Sequence, residues 1–287
     1  TSAPRQSPSL PLGASPQIVA TEATQTQHDG PALTSESCVG TEAFKRQEGS
    51  FFVALFHSDF ALDADKTLGR FLLGDTGSGT AAVVDPRPDC EIYIERAKAL
   101  GLTITHVFET HIHADFLSGA RELVARLDGA PELCVSVEGG AEYDFAHRGI
   151  RDGDRFDFGA LTLEVRHTPG HTPEHVSFLL YENGNEDPWS VLSGDSFFVD
   201  SVGRPDLLGD DKTEELTEAL FRTTQDFYMK LPDGVIVYPC HGAGSACGPD
   251  IGDRMSTTIA YEKAHNKYVQ ITDLEDFKQE MTNDAPP

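Results

Sequence analysis

The order of hydrophobic patterns along the chain predicts an α/β fold with two sheets face to face and helices outside, an αββα-type layered sandwich. Three observations carry this. Strand-like runs come first as a meander with no helix between them. Further on, strands alternate with helical stretches. The histidines and acids able to do chemistry stand in loops directly after strands.

The elements follow in order. Of the first 40 residues, 24 are Pro, Ser, Thr, Ala or Gly, and Arg5 is the only base. So few large apolar groups cannot offset the entropy of ordering, so residues 1 to about 43 read as a disordered tail and 44–287 as one domain. Phe51-Phe-Val-Ala-Leu-Phe56, Arg70-Phe-Leu-Leu73 and Ala81-Ala-Val-Val84 are successive strands, with turns at Gly69 and Asp75-Thr-Gly-Ser-Gly79. Ile92, Ile94, Ala97 and Leu100 lie close to helical spacing, and Gly101 stops that helix. Ile104 to Phe108 is a strand, followed by a polar loop and a helix over about Ser118 to Leu127. Leu161-Thr-Leu-Glu-Val165 alternates like a half-buried strand, and Val176 to Tyr181 and Ser190 to Ser193 continue the sheet. Glu214 to Lys230 is helical, Val235 to Tyr238 is a buried strand, and helices near 255–265 and 272–281 close the chain.

Composition narrows the function classes. The 287 residues carry 47 acids and 22 bases, a formal charge of -25, which argues against nucleic acid and anionic membrane surfaces as partners. The longest apolar run, Phe51 to Phe56, falls far short of the roughly 20 residues needed to span a bilayer, so the expectation is a soluble protein. Five cysteines without a Cys-x-x-Cys pair do not make a disulfide framework and favour a reducing, cytoplasmic compartment. An oligomer is left open.

Four strand ends carry metal-competent side chains. Thr110-His111-Ile-His113-Ala-Asp115 sets two imidazoles and a carboxylate at every second position of a loop. Thr168-Pro-Gly-His171-Thr-Pro-Glu-His175 follows the next strand, and Pro169-Gly170 forces a sharp turn that leaves His171 at its edge. Leu192-Ser-Gly-Asp195 and Tyr238-Pro-Cys-His241-Gly-Ala-Gly are the other two. Core packing does not explain four such endings.

In this order the motifs resemble the metallo-β-lactamase superfamily over roughly residues 50 to 265. Glu109-Thr-His-Ile-His-Ala-Asp-Phe-Leu-Ser-Gly119, Thr168 to His175, Val202-Gly-Arg-Pro-Asp-Leu207 and His241-Gly-Ala-Gly-Ser-Ala-Cys-Gly248 resemble, more narrowly, its persulfide dioxygenase branch. The bacterial members most like this chain often carry a following rhodanese domain, so a rhodanese domain or protein is an expected partner, and Pro287 lies about where such a domain would begin. The resemblance implies a metallo-β-lactamase-like fold and a single Fe(II) on His111, His171 and Asp195. Two imidazoles and a carboxylate leave positions open, the arrangement typical of non-haem iron oxygenases.

The implied reaction takes a small-molecule persulfide and O2 to sulfite and thiol. Two-metal hydrolases of the superfamily need a histidine where this chain has Phe116, which leaves the second site only Asp115 and His241 in full. His113 and His241 are expected beside the metal rather than on it, with His241 and Asp115 hydrogen-bonding a bound water. His175 is expected to point into the following strand. Arg204 matches the family arginine near the substrate, and its fork can take a carboxylate or phosphate. Cys247 could accept a sulfane sulfur, while Cys38, Cys90, Cys134 and Cys240 receive no role. Gly242 and Ala243 stand where glutathione-using relatives have an Asp-Tyr pair, which removes a polar contact from the thiol pocket and counts against glutathione, so the carrier is a glutathione-type or coenzyme A-type thiol, with coenzyme A or another low-molecular-weight thiol open. The alternatives are a metal-dependent thioester hydrolase of the glyoxalase II type, which needs only a metal-activated water, and a non-catalytic sulfur carrier with an empty site.

Overall fold

The computed structural model describes residues 41–44, 51–58 and 68–283. Most of the expected tail, residues 1–40, lies outside them, as do Cys38 and His28. The expected domain start shifts slightly, because Thr41–Phe44 is already a strand, β1. It pairs with β2 (Phe51–Ser58), and β2 with β3 (Leu68–Asp75) and β3 with β4 (Thr80–Val84) continue the antiparallel meander. Helix α1 (Glu91–Ala99) then crosses over to β5 (Thr103–Phe108), and α2 (Ala120–Arg126) to β6 (Glu132–Ser136). With β7 (Arg148–Ile150) these strands run parallel to β4, completing a seven-stranded sheet in sequence order.

The second sheet starts with β8 (Arg155–Phe158), β9 (Leu161–His167), β10 (Val176–Glu182) and β11 (Ser190–Gly194), again antiparallel neighbours. A small hairpin, β12 (Phe197–Phe198) with β13 (Ser201–Val202), leads into α3 (Asp210–Arg222). The chain returns as β14 (Ile236–Pro239), parallel to β11, and β15 (Thr257–Thr258) caps that edge. Helices α4 (Ile259–His265), α5 (Lys267–Gln270) and α6 (Leu274–Asn283) follow.

Alternation along the strands sorts the apolar side chains into three layers. Phe71, Leu73, Val84 and Phe108 of the first sheet meet Leu163, Val165, Phe178 and Leu192 of the second. Leu72, Val83 and Val135 face outward against Tyr93 and Ala97 of α1 and Leu123 of α2. Leu179, Val191 and Val237 face the other way against Leu220 of α3, Ile259 of α4, Tyr268 of α5 and Phe277 of α6. Helix, sheet, sheet and helix thus share three apolar interfaces, each removing area from water at about 25 cal/mol per Å². Among the described residues no helix is long and apolar enough to cross a membrane.

The helix expected over Glu214 to Lys230 begins earlier, at Asp210, and is α-helical only to Arg222. It loosens into a wide turn over Thr223–Phe227 and tightens over Tyr228–Lys230. Thr223 Oγ1 there donates to the carbonyl of Pro169, tying the helix to the loop that carries His171.

Candidate metal centre

Five loops meet at one edge of the two sheets. They leave β4 at Asp85, β5 at Glu109 to Asp115, β9 at Thr168 to His175, β11 at Asp195 and β14 at Cys240-His241. Parallel strands β4, β5, β11 and β14 deliver their C-terminal ends to the same side, which is how residues far apart in sequence converge.

His111, His171 and Asp195 form the innermost cluster, their donor atoms all within 4.8 Å of one another and all three residues buried. Asp195 Oδ2 lies 3.7 Å from His111 Nε2 and 3.6 Å from His171 Nε2. The tautomers follow from the outer hydrogen bonds. Thr110 Oγ1 donates to Asp85 Oδ2 at 2.9 Å, so towards His111 Nδ1, also at 2.9 Å, it can only accept. His171 Nδ1 donates to the carbonyl of Arg204 at 3.0 Å. Both imidazoles therefore carry their proton on Nδ1 and turn the Nε2 lone pair inward, as metal-binding histidines do. Burial, followed by the neighbouring His113, pushes the His111 pKa well below its usual value and favours this neutral form. Burial alone would raise Asp195, but the facing His241, His111 and His171 hold it well below the carboxylate range.

His111 Nε2 and both Asp195 carboxylate oxygens lack a well-formed hydrogen bond among the described residues. A buried polar atom left so costs about 1–3 kcal/mol, more for a charge. A metal ion would satisfy these orphaned lone pairs, and with His171 Nε2 beside them the two imidazoles and one carboxylate make an N2O set that fits one.

His175 departs from expectation. Instead of pointing into the following strand, its ring stacks on His111 at 5.0 Å, and its Nε2 accepts the backbone N–H of Asp195 at 3.0 Å. Its Nδ1 pairs with Thr168 Oγ1 at 2.9 Å. Burial, with His171 nearby, pushes its pKa down to about 3, consistent with the neutral ring an acceptor must be. Gly194 makes room for it: φ there is +53°, and a Cβ would stand 2.5 Å from His175 Nε2.

His113 turns away from the innermost cluster. Its Nε2 lies 3.0 Å from Asp85 Oδ1 and 3.3 Å from Glu109 Oε2. Burial opposes its charge, but Asp85 and then Glu109 prevail and raise its pKa to about 9. Asp85 is missing from the sequence-derived set, although a strand ending in an acid was a readable signal. Glu109 stood inside a motif without a role; Ser118 Oγ now donates to it.

His241 Nε2 lies 3.1 Å from Asp195 Oδ2 and 3.2 Å from Asp115 Oδ2. Burial disfavours its charge, yet Asp195, Asp115 and a contact with Cys247 raise its pKa well above the usual imidazole value. Asp115, Asp195, His241 and Cys247 bring their donor atoms within 4.8 Å of one another. The expectation that the second site keeps only Asp115 and His241 is therefore corrected, because the Gly-rich loop folds Cys247 back and Asp195 lies between both clusters. Burial, then Asp195, raise the Cys247 thiol pKa, so it carries its proton in the absence of a metal.

Arg204 is also corrected. The fork expected to be open for a substrate anion is filled by Asp206, with Nε and Nη2 donating to its two carboxylate oxygens at 2.7 Å each. The pair lines a cavity of about 570 Å³ with Ser245, Ala246 and Asp210. The backbone of Arg204 matters as well, since its N–H donates to the Cys247 carbonyl at 2.9 Å while its own carbonyl orients His171. A second, more apolar cavity of about 460 Å³ opens over His111 and His113 and is walled by Ile112, Phe116, Leu117, Tyr143 and Phe145. Both volumes suit a small molecule.

Comparison with known proteins agrees with this geometry. The sequence model of the metallo-β-lactamase superfamily matches residues 71–241. Mitochondrial persulfide dioxygenase ETHE1 of Bos taurus is 31% identical over 172 residues, 60% of this chain and 62% of the relative, so the chain spans less than two thirds of that protein. The Mus musculus counterpart is 31% identical over 74% of the chain and 75% of the relative. A hydroxyacylglutathione hydrolase of Crocosphaera subtropica is 34% identical over 136 residues, 47% of the chain and 51% of the relative. Among solved structures, a metallo-β-lactamase from Staphylococcus aureus superposes with a TM-score of 0.74 at 34% identity, over 83% of this chain and 69% of that one. ETHE1 from Myxococcus xanthus gives 0.64 at 27% identity, over 86% and 92%. With its two-sheet sandwich and its histidines and acids gathered at the strand ends, the chain belongs to the metallo-β-lactamase superfamily of enzymes.

Proposed function

We propose that this enzyme is a persulfide dioxygenase, converting a low-molecular-weight thiol persulfide with O2 and water into sulfite and the free thiol: R–S–SH + O2 + H2O → R–SH + SO3²⁻ + 2 H⁺. The observation that carries the reading is the buried His111–His171–Asp195 cluster, with its inward lone pairs, beside a position 116 that offers a phenyl ring and no donor. One Fe(II) held there would leave positions free and supply the redox chemistry that zinc lacks. The persulfide dioxygenases among the relatives support the same class.

The chain's own residues have separable tasks. Thr110 and the Arg204 carbonyl fix the two imidazoles, and His175 fixes the backbone of Asp195. Ile112, Phe116 and Leu117 give the cavity beside His111 and His113 an apolar wall. His241, held between Asp195 and Asp115, keeps a proton at Nε2 that can pass to the thiolate sulfur leaving as R–SH. Glutathione-type and coenzyme A-type persulfides are the proposed substrates, a rhodanese domain or protein the proposed partner, and the cytoplasm the proposed compartment.

The hydroxyacylglutathione hydrolase relative favours a second reading, hydrolysis of a thioester by a metal-activated water. Elemental analysis after anaerobic reconstitution, paired with oxygen-electrode traces on both persulfides, separates the two. One iron per chain and oxygen consumed in proportion to persulfide support the dioxygenase. Thioester cleavage without oxygen uptake selects the hydrolase.

A further inference from the structure

We propose that the Arg70 guanidinium takes the electrostatic place of a second metal ion: a fixed cation, built in beside position 116, that balances the surrounding carboxylates and keeps a second ion out. The proposal rests on the single-metal reading above.

Arg70 lies near the start of β3, where that strand passes the end of β4, and its residue is 0% exposed. Its neighbour two residues on, Leu72, faces the apolar layer under α1, so nothing about the strand's pattern calls for a charge at 70. What lies around the guanidinium does. Its carbon stands 3.9 Å from the centre of the Phe116 ring. Nη1 donates to Cys240 Sγ at 2.8 Å, immediately before His241, and Cys240 Sγ is 3.8 Å from Asp85 Oδ2. The Phe116 ring in turn is 4.3 Å from that of His113. The cation thus sits against Phe116 and Cys240, with Asp85 just beyond the thiol, on the side of the centre where a second ion would need ligands. Cys240, to which the sequence alone assigns no role, is its anchor.

Charge balance gives the reason. Asp85, Glu109, Asp115 and Asp195 all end at this edge of the sheets. A buried arginine is costly, and an apolar side chain of similar volume would ordinarily replace it at no loss unless anions oppose it. Here burial disfavours the charge, but Cys240, then Asp85 and more weakly Asp115 outweigh it and raise its pKa, the two carboxylates being the opposing anions. A divalent ion in the second cluster of Asp115, Asp195, His241 and Cys247 would meet this like charge in a poorly solvated setting, and would lose affinity by on the order of 100-fold. A phenyl ring at 116 suits the arrangement twice: it removes a ligand and presents its π face to the guanidinium.

Phe116 alone is therefore not what limits the site to one metal, and restoring a histidine there is not enough to bring a second ion back. The test is titration of the metal-free protein with Co(II), read by equilibrium dialysis and by absorption. Wild type should take one tight equivalent with no cobalt–thiolate band. Phe116→His, with Arg70 intact, should still take one, with any second equivalent at least about 100-fold weaker. Phe116→His with Arg70→Gln should take two within about tenfold of each other, whereas Phe116→His with Arg70→Lys should take one. A second tight equivalent in wild type, with a thiolate band from Cys247, overturns this proposal and the single-metal reading together. A second tight equivalent in Phe116→His overturns the role of Arg70 alone, as does a folded Arg70→Gln double variant that still takes one. Should the Gln double variant fail to fold, the Phe116→His titration decides: one equivalent stands with the proposal, two refute it.

Discussion

Replacing His175 by Phe removes no atom expected to touch a metal, yet it should loosen the whole centre. The ring is fully buried, accepts the Asp195 N–H at 3.0 Å, and stacks on His111. Phenylalanine keeps most of the volume and leaves the Asp195 N–H without an acceptor, at a cost of about 1–3 kcal/mol. Removal of such an orienting partner should weaken metal binding by about 10- to 100-fold. His175→Gln, whose side-chain oxygen can accept the same N–H, should recover part of that loss.

The pH profile gives an independent reading of the same residue. Its pKa of about 3 lies below the unperturbed value of about 6.5, so the unfolded chain binds the extra proton first as pH falls. His175 therefore contributes stability that is full above pH ~6.5 and is lost towards pH ~3, roughly 3 kcal/mol of it by pH 4. Chemical denaturation of the metal-free protein between pH 7 and 4 measures it. The Phe variant should be less stable at pH 7 and lose less on acidification. A variant with unchanged metal affinity and the wild-type pH slope would refute the positioning role.

Asp195→Ala removes one of three donors and should leave the protein folded with far less than one metal per chain, measured by elemental analysis. Gly194→Ala should destabilise by about 1–3 kcal/mol in denaturant melts, because φ is +53° and the new Cβ meets His175. The Arg204–Asp206 pair yields a two-way test by steady-state kinetics. If the fork can be lent to an anionic carrier, Asp206→Ala should lower KM and Arg204→Ala raise it, each by about 2- to 5-fold, since a partly exposed pair is worth up to about 1 kcal/mol. A rise in both would confine the pair to holding the loop.

The parts of this centre that are legible in the sequence are those encoded locally. Pro169-Gly170 and the His-x-His-x-Asp string place donors through turn chemistry within a few residues, so His111, Asp115 and His171 stand out from the chain alone. The order of strands and helices is legible for the same reason, whereas Glu132–Ser136 and Arg148–Ile150 escape it. The first is buried at four of its five positions and shows no alternation, and the second is only three residues long. What stays hidden depends on contacts across the fold. His175 meets a residue twenty positions on, and Arg70 meets Cys240, 170 positions away. Arg204 misleads for the opposite reason: its partner Asp206 stands two residues on in the same motif, and the fork taken by itself looks open.

The most direct test compares iron-loaded and zinc-loaded protein, each given glutathione persulfide and then coenzyme A persulfide, with oxygen uptake and sulfite recorded together. Zinc lowers the pKa of bound water to about 7 but has no redox chemistry to offer, so only the iron form should consume oxygen, with one sulfite formed per O2. Cleavage of an acyl thioester by the zinc form, with no oxygen taken up by the iron form on either persulfide, would contradict the dioxygenase account.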